Sequence, residues 1–134
     1  MTKRIMVVDD QEHLLTLLRM LLEDEQYQVS VLSEGRDAVT HIREAAPDLV
    51  ILDLRLADAS GVDILESLRA HTSTAEIPVI VYTAAVLGAE TVSNLSSSNP
   101  TRYRNVSVVQ KPFELDALLE RVRQMLAAPQ PSQG

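Results

Sequence analysis

The chain has 134 residues, no cysteine and a formal net charge of −7, and 46% of its residues are hydrophobic. This length and apolar content fit one globular domain with a sizeable core and argue against disorder, and the missing cysteines exclude disulfides and thiolate metal sites. The acidic balance disfavours direct nucleic-acid binding, which draws on a basic face. No apolar run approaches the ~20 residues a membrane helix needs. The opening Met1-Thr-Lys-Arg-Ile5 reaches Asp9 and Asp10 too soon for a signal-peptide core. A cytoplasmic protein without membrane insertion is the expectation.

Along the chain, short apolar runs alternate with helical patterns. Ile5–Val8 is a continuous run, the mark of a strand covered on both faces, and Asp9 and Asp10 close it. A helix follows, with Leu14, Leu17, Leu18, Leu21 and Leu22 assigned to one face. Gln28–Leu32 alternates, Val29 and Val31 against Gln28 and Ser30, as an edge strand does. Val39, Ile42 and Ala46 mark a second helix, Leu49–Leu52 a buried strand leading into Asp53, and Leu65 and Leu68 a third helix. Val79–Val81 is the fourth strand and leads to Thr83. Beyond it, Leu95–Pro100 is poor helix material, and the polar stretch Ser93–Arg104, with Tyr103 in a loop, has little apolar surface to dock. Val106–Gln110, interrupted by Ser107, is the fifth strand and leads to Lys111. Leu115, Leu118, Leu119, Val122 and Leu126 form the clearest helical stripe. The domain is expected over 1–127, with 128–134, rich in Pro, Gln and Ser, as a disordered tail or the start of a linker.

Such alternation implies an α/β fold, a five-stranded parallel sheet with right-handed crossovers and helices on both faces. With the continuous runs central, the strand order is 2-1-3-4-5, a flavodoxin-like three-layer sandwich whose ligands bind beyond the carboxyl ends of the first and third strands.

Polar residues stand at the carboxyl ends of four strands: Asp9 and Asp10, Asp53, Thr83 and Lys111. Singly, each has an ordinary reading. Asp10 and Thr83 suit helix caps, Asp53 a solvated strand end, and Lys111 a surface lysine. The fold gathers all five in one cleft, and that convergence carries the functional reading. Carboxylates ~4–5 Å apart at an effective dielectric of ~20 repel by about 3–4 kcal/mol per pair, so they call for cations. Oxygen-only ligands favour Mg²⁺, Mn²⁺ or Ca²⁺, and Mg²⁺ commonly bridges carboxylates to phosphate oxygens. Lys111 adds an ammonium and Thr83 a hydroxyl donor for phosphoryl oxygens, a set suited to a carboxylate nucleophile attacking phosphorus. His13, His41 and His71 show no metal-ligand spacing, and four glycines at 35, 61, 88 and 134 draw no phosphate loop.

The ordered motifs Ile5-Met-Val-Val-Asp-Asp10, Asp48-Leu-Val-Ile-Leu-Asp53, Ile77-Pro-Val-Ile-Val-Tyr-Thr-Ala84 and Lys111-Pro-Phe113, with Gly61 eight residues after Asp53, closely resemble the receiver domain of two-component response regulators over residues 3–127. The resemblance implies that Asp53 accepts a phosphoryl group from a sensor histidine kinase or phosphotransfer protein. It implies Asp9, Asp10, Asp53 and the backbone carbonyl of Arg55 as Mg²⁺ ligands, and Thr83 and Lys111 as phosphoryl-binding switch residues beside a small Ala84. It also implies a Lys111-Pro112 peptide that is usually cis, and a switched surface for a downstream protein. Such a domain is a regulator, not an enzyme with its own substrate.

Three departures bear on the output. Ala57 replaces a common proline, an exchange expected to loosen the loop after Asp53. The segment from Thr83 to Lys111 is longer than usual, and Val108 stands where a switch aromatic is common. The alternative is a pseudo-receiver, a phosphorylation-independent interaction module. An aspartyl-phosphate phosphatase fits poorly, because its pattern separates the two aspartates that are adjacent here. Flavin binding fits poorly as well, because the first loop offers carboxylates. No output domain follows the last helix, which leaves a stand-alone regulator or a receiver excised from a larger protein.

Overall fold

The computed structural model describes residues 2–83, 86–110 and 114–127. Strands and helices alternate as β1 (Arg4–Val8), α1 (Glu12–Asp24), β2 (Gln28–Leu32), α2 (Ala38–Ala45), β3 (Leu49–Leu52), α3 (Gly61–Ala70), β4 (Val79–Thr83), α4 (Val86–Ser98), β5 (Val106–Gln110) and α5 (Leu115–Ala127). All neighbours in the sheet pair in parallel, in the expected order β2-β1-β3-β4-β5. The tail expected at 128–134 lies outside the described residues.

Because side chains alternate across a strand, the sheet feeds two separate cores. Met6, Val8, Val50, Leu52, Val79 and Val81 pack with Ile42, Leu65, Leu68 and Val92 of α2, α3 and α4. Ile5, Val7, Leu49, Ile51, Ile80 and Tyr82 pack with Leu15, Leu18 and Leu22 of α1 and Leu118 and Val122 of α5. The inner strands are covered on both faces, whereas β2 at the edge buries Val29 and exposes Gln28 and Ser30.

The structure corrects four expectations. In α1 the buried leucines are Leu15, Leu18 and Leu22, while Leu17 is 39% exposed. Leu14 and Leu21 only flank that core. A helix so rich in leucine satisfies two neighbouring phases of the same period, and the strands beneath select one. Ala46 does not continue the α2 stripe; it is the C-cap, with φ 46°. The serines at 96–98 belong to α4, because Ala89 and Val92 are buried and Leu95 packs on the core, which outweighs weak local propensity. Tyr103 does lie in a turn, but it is buried, at 5% exposure, in the same core as Val92. Residues 93–104 therefore have a firmer anchor than their polarity suggests.

At the other end of the sheet, Arg69 of α3 donates to the carbonyls of Thr74, Ile77 and Arg104, fixing the entries to β4 and β5. Near the carboxyl ends, Gly61 opens α3 against β3. A Cβ there would stand 2.4 Å from Leu54 Cα and 2.6 Å from the Asp53 carbonyl oxygen. Its N–H donates to the Leu54 carbonyl at 3.0 Å. Overpacking against backbone has no flexible side chain to absorb it, so Gly61→Ala is expected to destabilise the domain by about 3 kcal/mol. Urea unfolding measures this, and a loss below about 0.5 kcal/mol would mean that the contact yields freely.

Candidate functional site

Parallel register brings the acidic residues together. Val8 pairs with Leu52, so the next residues of β1 and β3, Asp9 and Asp53, emerge side by side. The ladder runs one step past the strands, with Asp53 N–H donating to the Val8 carbonyl at 3.0 Å and Asp9 N–H to the Leu32 carbonyl at 3.1 Å. Carboxylate oxygens of Asp9, Asp10 and Asp53 all lie within 4.8 Å of one another. Asp9 is fully buried, Asp53 is 4% exposed and Asp10 is half-buried.

Each carboxylate has a neutral donor that fixes its orientation. The Gln11 N–H donates to Asp9 Oδ1 at 2.8 Å, and the Tyr82 hydroxyl donates to Asp9 Oδ2. The Ala57 N–H donates to Asp10 Oδ2 at 2.9 Å, and the Arg55 N–H to Asp53 Oδ1 at 3.0 Å. Asp10 is not the cap of α1; the N-cap is Gln11, which makes no side-chain cap bond.

The same bonds hold the loop after β3. Arg55 is tied to Asp53, Ala57 to Asp10, and the Asp58 carboxylate accepts the N–H groups of Gly35 at 2.8 Å and Arg36 at 2.9 Å. Those two amides hold the Asp58 carboxyl below its ordinary range. A bridge between Arg55 and Ser60 closes the loop. Ala57 was expected to loosen this segment relative to proline. Its N–H, which proline lacks, donates to Asp10 and joins the loop to the acidic pair.

Thr83 ends β4, the neighbour of β3, and is fully buried. Lys111 follows Gln110, the last residue of β5. Lys111, the Lys111-Pro112 peptide, Ala84 and its neighbour Ala85 lie outside the described residues. His13, His41 and His71 are exposed, and none belongs to the acidic group.

Tyr82 is the site residue that sequence reasoning missed. It sits in an apolar run and reads as core, yet a buried phenol needs a partner for its hydroxyl, and that requirement was the available signal. Burial, then the hydrogen bond to Asp9, then the charges of Asp9, Asp53 and Asp10 push its pKa far above the ordinary tyrosine range, so the phenol keeps its proton. It therefore acts as a donor.

Three oxygen donors on rigid strand ends fit a hard divalent cation such as Mg²⁺. At 4.8 Å and an effective dielectric of ~20, each pair of charges costs ~3.5 kcal/mol, and a bound cation offsets that repulsion. Among the described residues, no helix is long and apolar enough to cross a membrane.

Residues 5–123 match the response regulator receiver domain family. The DNA-binding response regulator MtrA of Mycolicibacterium smegmatis is 36% identical over 126 residues, 94% of this chain and 51% of that protein. The phosphate regulon transcriptional regulatory protein PhoB of Rhizobium meliloti is 35% identical over 131 residues, 98% of this chain and 55% of that protein. The chain thus spans about half the length of these curated relatives. Among solved structures, the non-phosphorylated HemR receiver domain of Leptospira biflexa superposes with a TM-score of 0.81 at 28% identity, covering 97% of this chain and 98% of that one. A CheY-like receiver domain protein of Methanospirillum hungatei does so with a TM-score of 0.81 at 25% identity, covering both chains fully. The register that seats Asp53 between the acidic pair and Thr83 is thus the framework of a known signalling fold, and the chain belongs to the receiver domain family of two-component response regulators.

Proposed function

We propose that Asp53 is the phosphoryl acceptor, and that Asp9, Asp10, Asp53 and the backbone carbonyl of Arg55 hold Mg²⁺. The observation that carries this reading is the buried acidic cluster, with Asp9, Asp10 and Asp53 oxygens within 4.8 Å of one another. A domain that merely binds a partner, independent of phosphorylation, has no use for so costly an arrangement.

The reaction follows from the residues. An Asp53 carboxylate oxygen attacks phosphorus in line. The new P–O bond forms as the bond from phosphorus to the donor breaks, and the departing group keeps the electron pair. In a sensor histidine kinase or phosphotransfer protein that group is a histidine nitrogen. The Arg55 N–H holds Asp53 Oδ1 and fixes the rotation of the carboxylate. The Thr83 hydroxyl and the Lys111 ammonium receive phosphoryl oxygens. When bound, Mg²⁺ supplies the positive charge that balances the carboxylates and the transferring group.

The chain assists only its own phosphorylation and dephosphorylation and turns over no separate substrate. Its output passes through contacts with a downstream protein. The MtrA relative is named a DNA-binding protein, but a net charge of −7 supports no direct nucleic-acid contact by this domain. A cytoplasmic location suits such a donor and such an output.

Acetyl phosphate with Mg²⁺ is expected to add one phosphoryl mass to the wild type, none to Asp53→Asn, and none to either protein with excess chelator. Equal labelling of wild type and Asp53→Asn would move the acceptor elsewhere. No labelling, with no binding of beryllium fluoride, would favour the pseudo-receiver.

The lifetime of the phosphorylated state gives a second test. Arg55 is exposed, two residues beyond Asp53, so its side chain can cover the phosphoryl group or pair with it and exclude attacking water. Arg55→Ala should hydrolyse several-fold faster at fixed Mg²⁺ concentration. Ala85 has no polar group to orient water, and Ala85→Glu should also quicken hydrolysis. Unchanged rates in both variants would refute these two roles.

A further inference from the structure

On β4, Tyr82 lies in a strand that is otherwise aliphatic up to Thr83, Val79-Ile-Val-Tyr-Thr83, and every residue of it is buried. A phenylalanine or leucine would fill the same space in the core under α1 and α5. The hydroxyl is the added feature, and it crosses the line of β3 to reach Asp9, the residue just past β1. Strand order requires that path, since β3 lies between the two. Side-chain alternation permits it. Tyr82 is on the same sheet face as Ile51 and Val7, two residues before Asp53 and Asp9 respectively.

Asp9 is thereby held at both oxygens, Oδ1 by the Gln11 N–H at 2.8 Å and Oδ2 by the Tyr82 hydroxyl. A carboxylate gripped at one oxygen still swings about its Cα–Cβ and Cβ–Cγ bonds; a second grip from the opposite direction stops that motion. The Gln11 bond is local, two residues along the chain, and travels with Asp9. The Tyr82 bond is long-range, spanning 73 residues, and fixes Asp9 relative to the rest of the sheet. Outer donors of this kind orient metal ligands, and their loss typically weakens a metal about 10–100-fold.

We propose that Tyr82 is a positioning residue of the acidic site: its hydroxyl anchors the Asp9 carboxylate in the orientation that faces Asp10 and Asp53, and so sets the affinity for a divalent cation. This rests on the reading of Asp9, Asp10 and Asp53 as the Mg²⁺ ligands. The hydroxyl donates to Asp9, a metal ligand in this reading, so it governs how much Mg²⁺ the site requires rather than the chemistry once Mg²⁺ is in place.

Tyr82→Phe keeps the ring and removes the hydroxyl. Calorimetric titration with MgCl₂ should show an affinity about 10-fold weaker than wild type. Labelling by acetyl phosphate should need a correspondingly higher Mg²⁺ concentration for half its extent, yet reach the wild-type plateau. A merely structural tyrosine would lower the unfolding midpoint and leave the Mg²⁺ titration unmoved. A spectroscopic readout gives an independent check, since the chain has no tryptophan and only three tyrosines. Mg²⁺ should change the near-ultraviolet tyrosine signal of the wild type and of Tyr27→Phe and Tyr103→Phe, but not of Tyr82→Phe.

Mg²⁺ affinity of Tyr82→Phe within twofold of wild type would overturn the inference while leaving the phosphoacceptor reading intact. Wild type that binds no Mg²⁺ and takes no label would overturn both. If Tyr82→Phe does not fold, the wild-type spectrum decides, and a tyrosine signal insensitive to Mg²⁺ sinks the inference.

Discussion

Everything distinctive about this domain follows from placing three carboxylates at the ends of the buried apolar runs of β1 and β3. Asp9 and Asp53 are nearly as inaccessible as the valines and leucines that precede them, and their oxygens share a space less than 5 Å across with that of Asp10. Such an arrangement is unfavourable for folding alone, because desolvation and mutual repulsion act in the same direction. It persists because the strands that carry the acids have cores on both faces, and the parallel register leaves Asp9 and Asp53 no lateral freedom. The stability of the sheet is thus what sustains the electrostatic strain of the site.

Neutral donors moderate that strain without removing it. Backbone amides of Gln11, Arg55 and Ala57 and the hydroxyl of Tyr82 each approach one carboxylate oxygen. These donors stabilise negative charge through hydrogen bonds while leaving the net charge of the cluster unchanged, so the demand for a cation remains. The loop after β3 is built on the same principle. Its amides turn toward Asp53 and Asp10, and its own Asp58 ties down the turn before α2. Gly61 lets α3 begin directly against β3. Loop order and site order are therefore one property, and a change to either is felt by the other.

The sequence is legible where one rule dominates. Continuous apolar runs located β1, β3 and β4, and the acids after them followed from strand ends and register. Alternation identified β2 as an edge, and the stripe from Leu115 to Leu126 identified α5. Legibility failed where local pattern was degenerate or tertiary packing decided. The leucines of α1 admit more than one phase, and only contact with the sheet selects Leu15 over Leu17. The serines near the end of α4 disfavour helix locally, but Ala89, Val92 and Leu95 dock it. Ala57 acts through its N–H, a group that every residue but proline has, so its role was visible only once Asp10 was seen beside it. Tyr82 was hidden by its own ring, since burial of an aromatic is ordinary and only the destination of the hydroxyl sets it apart.

Tyr82 and Thr83 also show how one strand can join the site to both halves of the molecule. They are consecutive on β4, so their side chains leave on opposite faces. Tyr82 connects Asp9 to the core beneath α1 and α5. Thr83 follows the direction of Val79 and Val81, which pack in the core shared with Val92 of α4 and with Tyr103. Val108, level with Val81 on β5, brings a short side chain that is stiff at χ1, so no ring at that position is available to swing. The ring in this region belongs to Tyr103, and it is already inside the core, under a turn closed by Asn99. Beside Val108, Ala89, Glu90, Ser93 and Asn94 of α4 line an open groove. The strand that ends at Thr83 is thereby joined to α4 through the core that Val79 and Val81 share with Val92, and not through a ring at position 108.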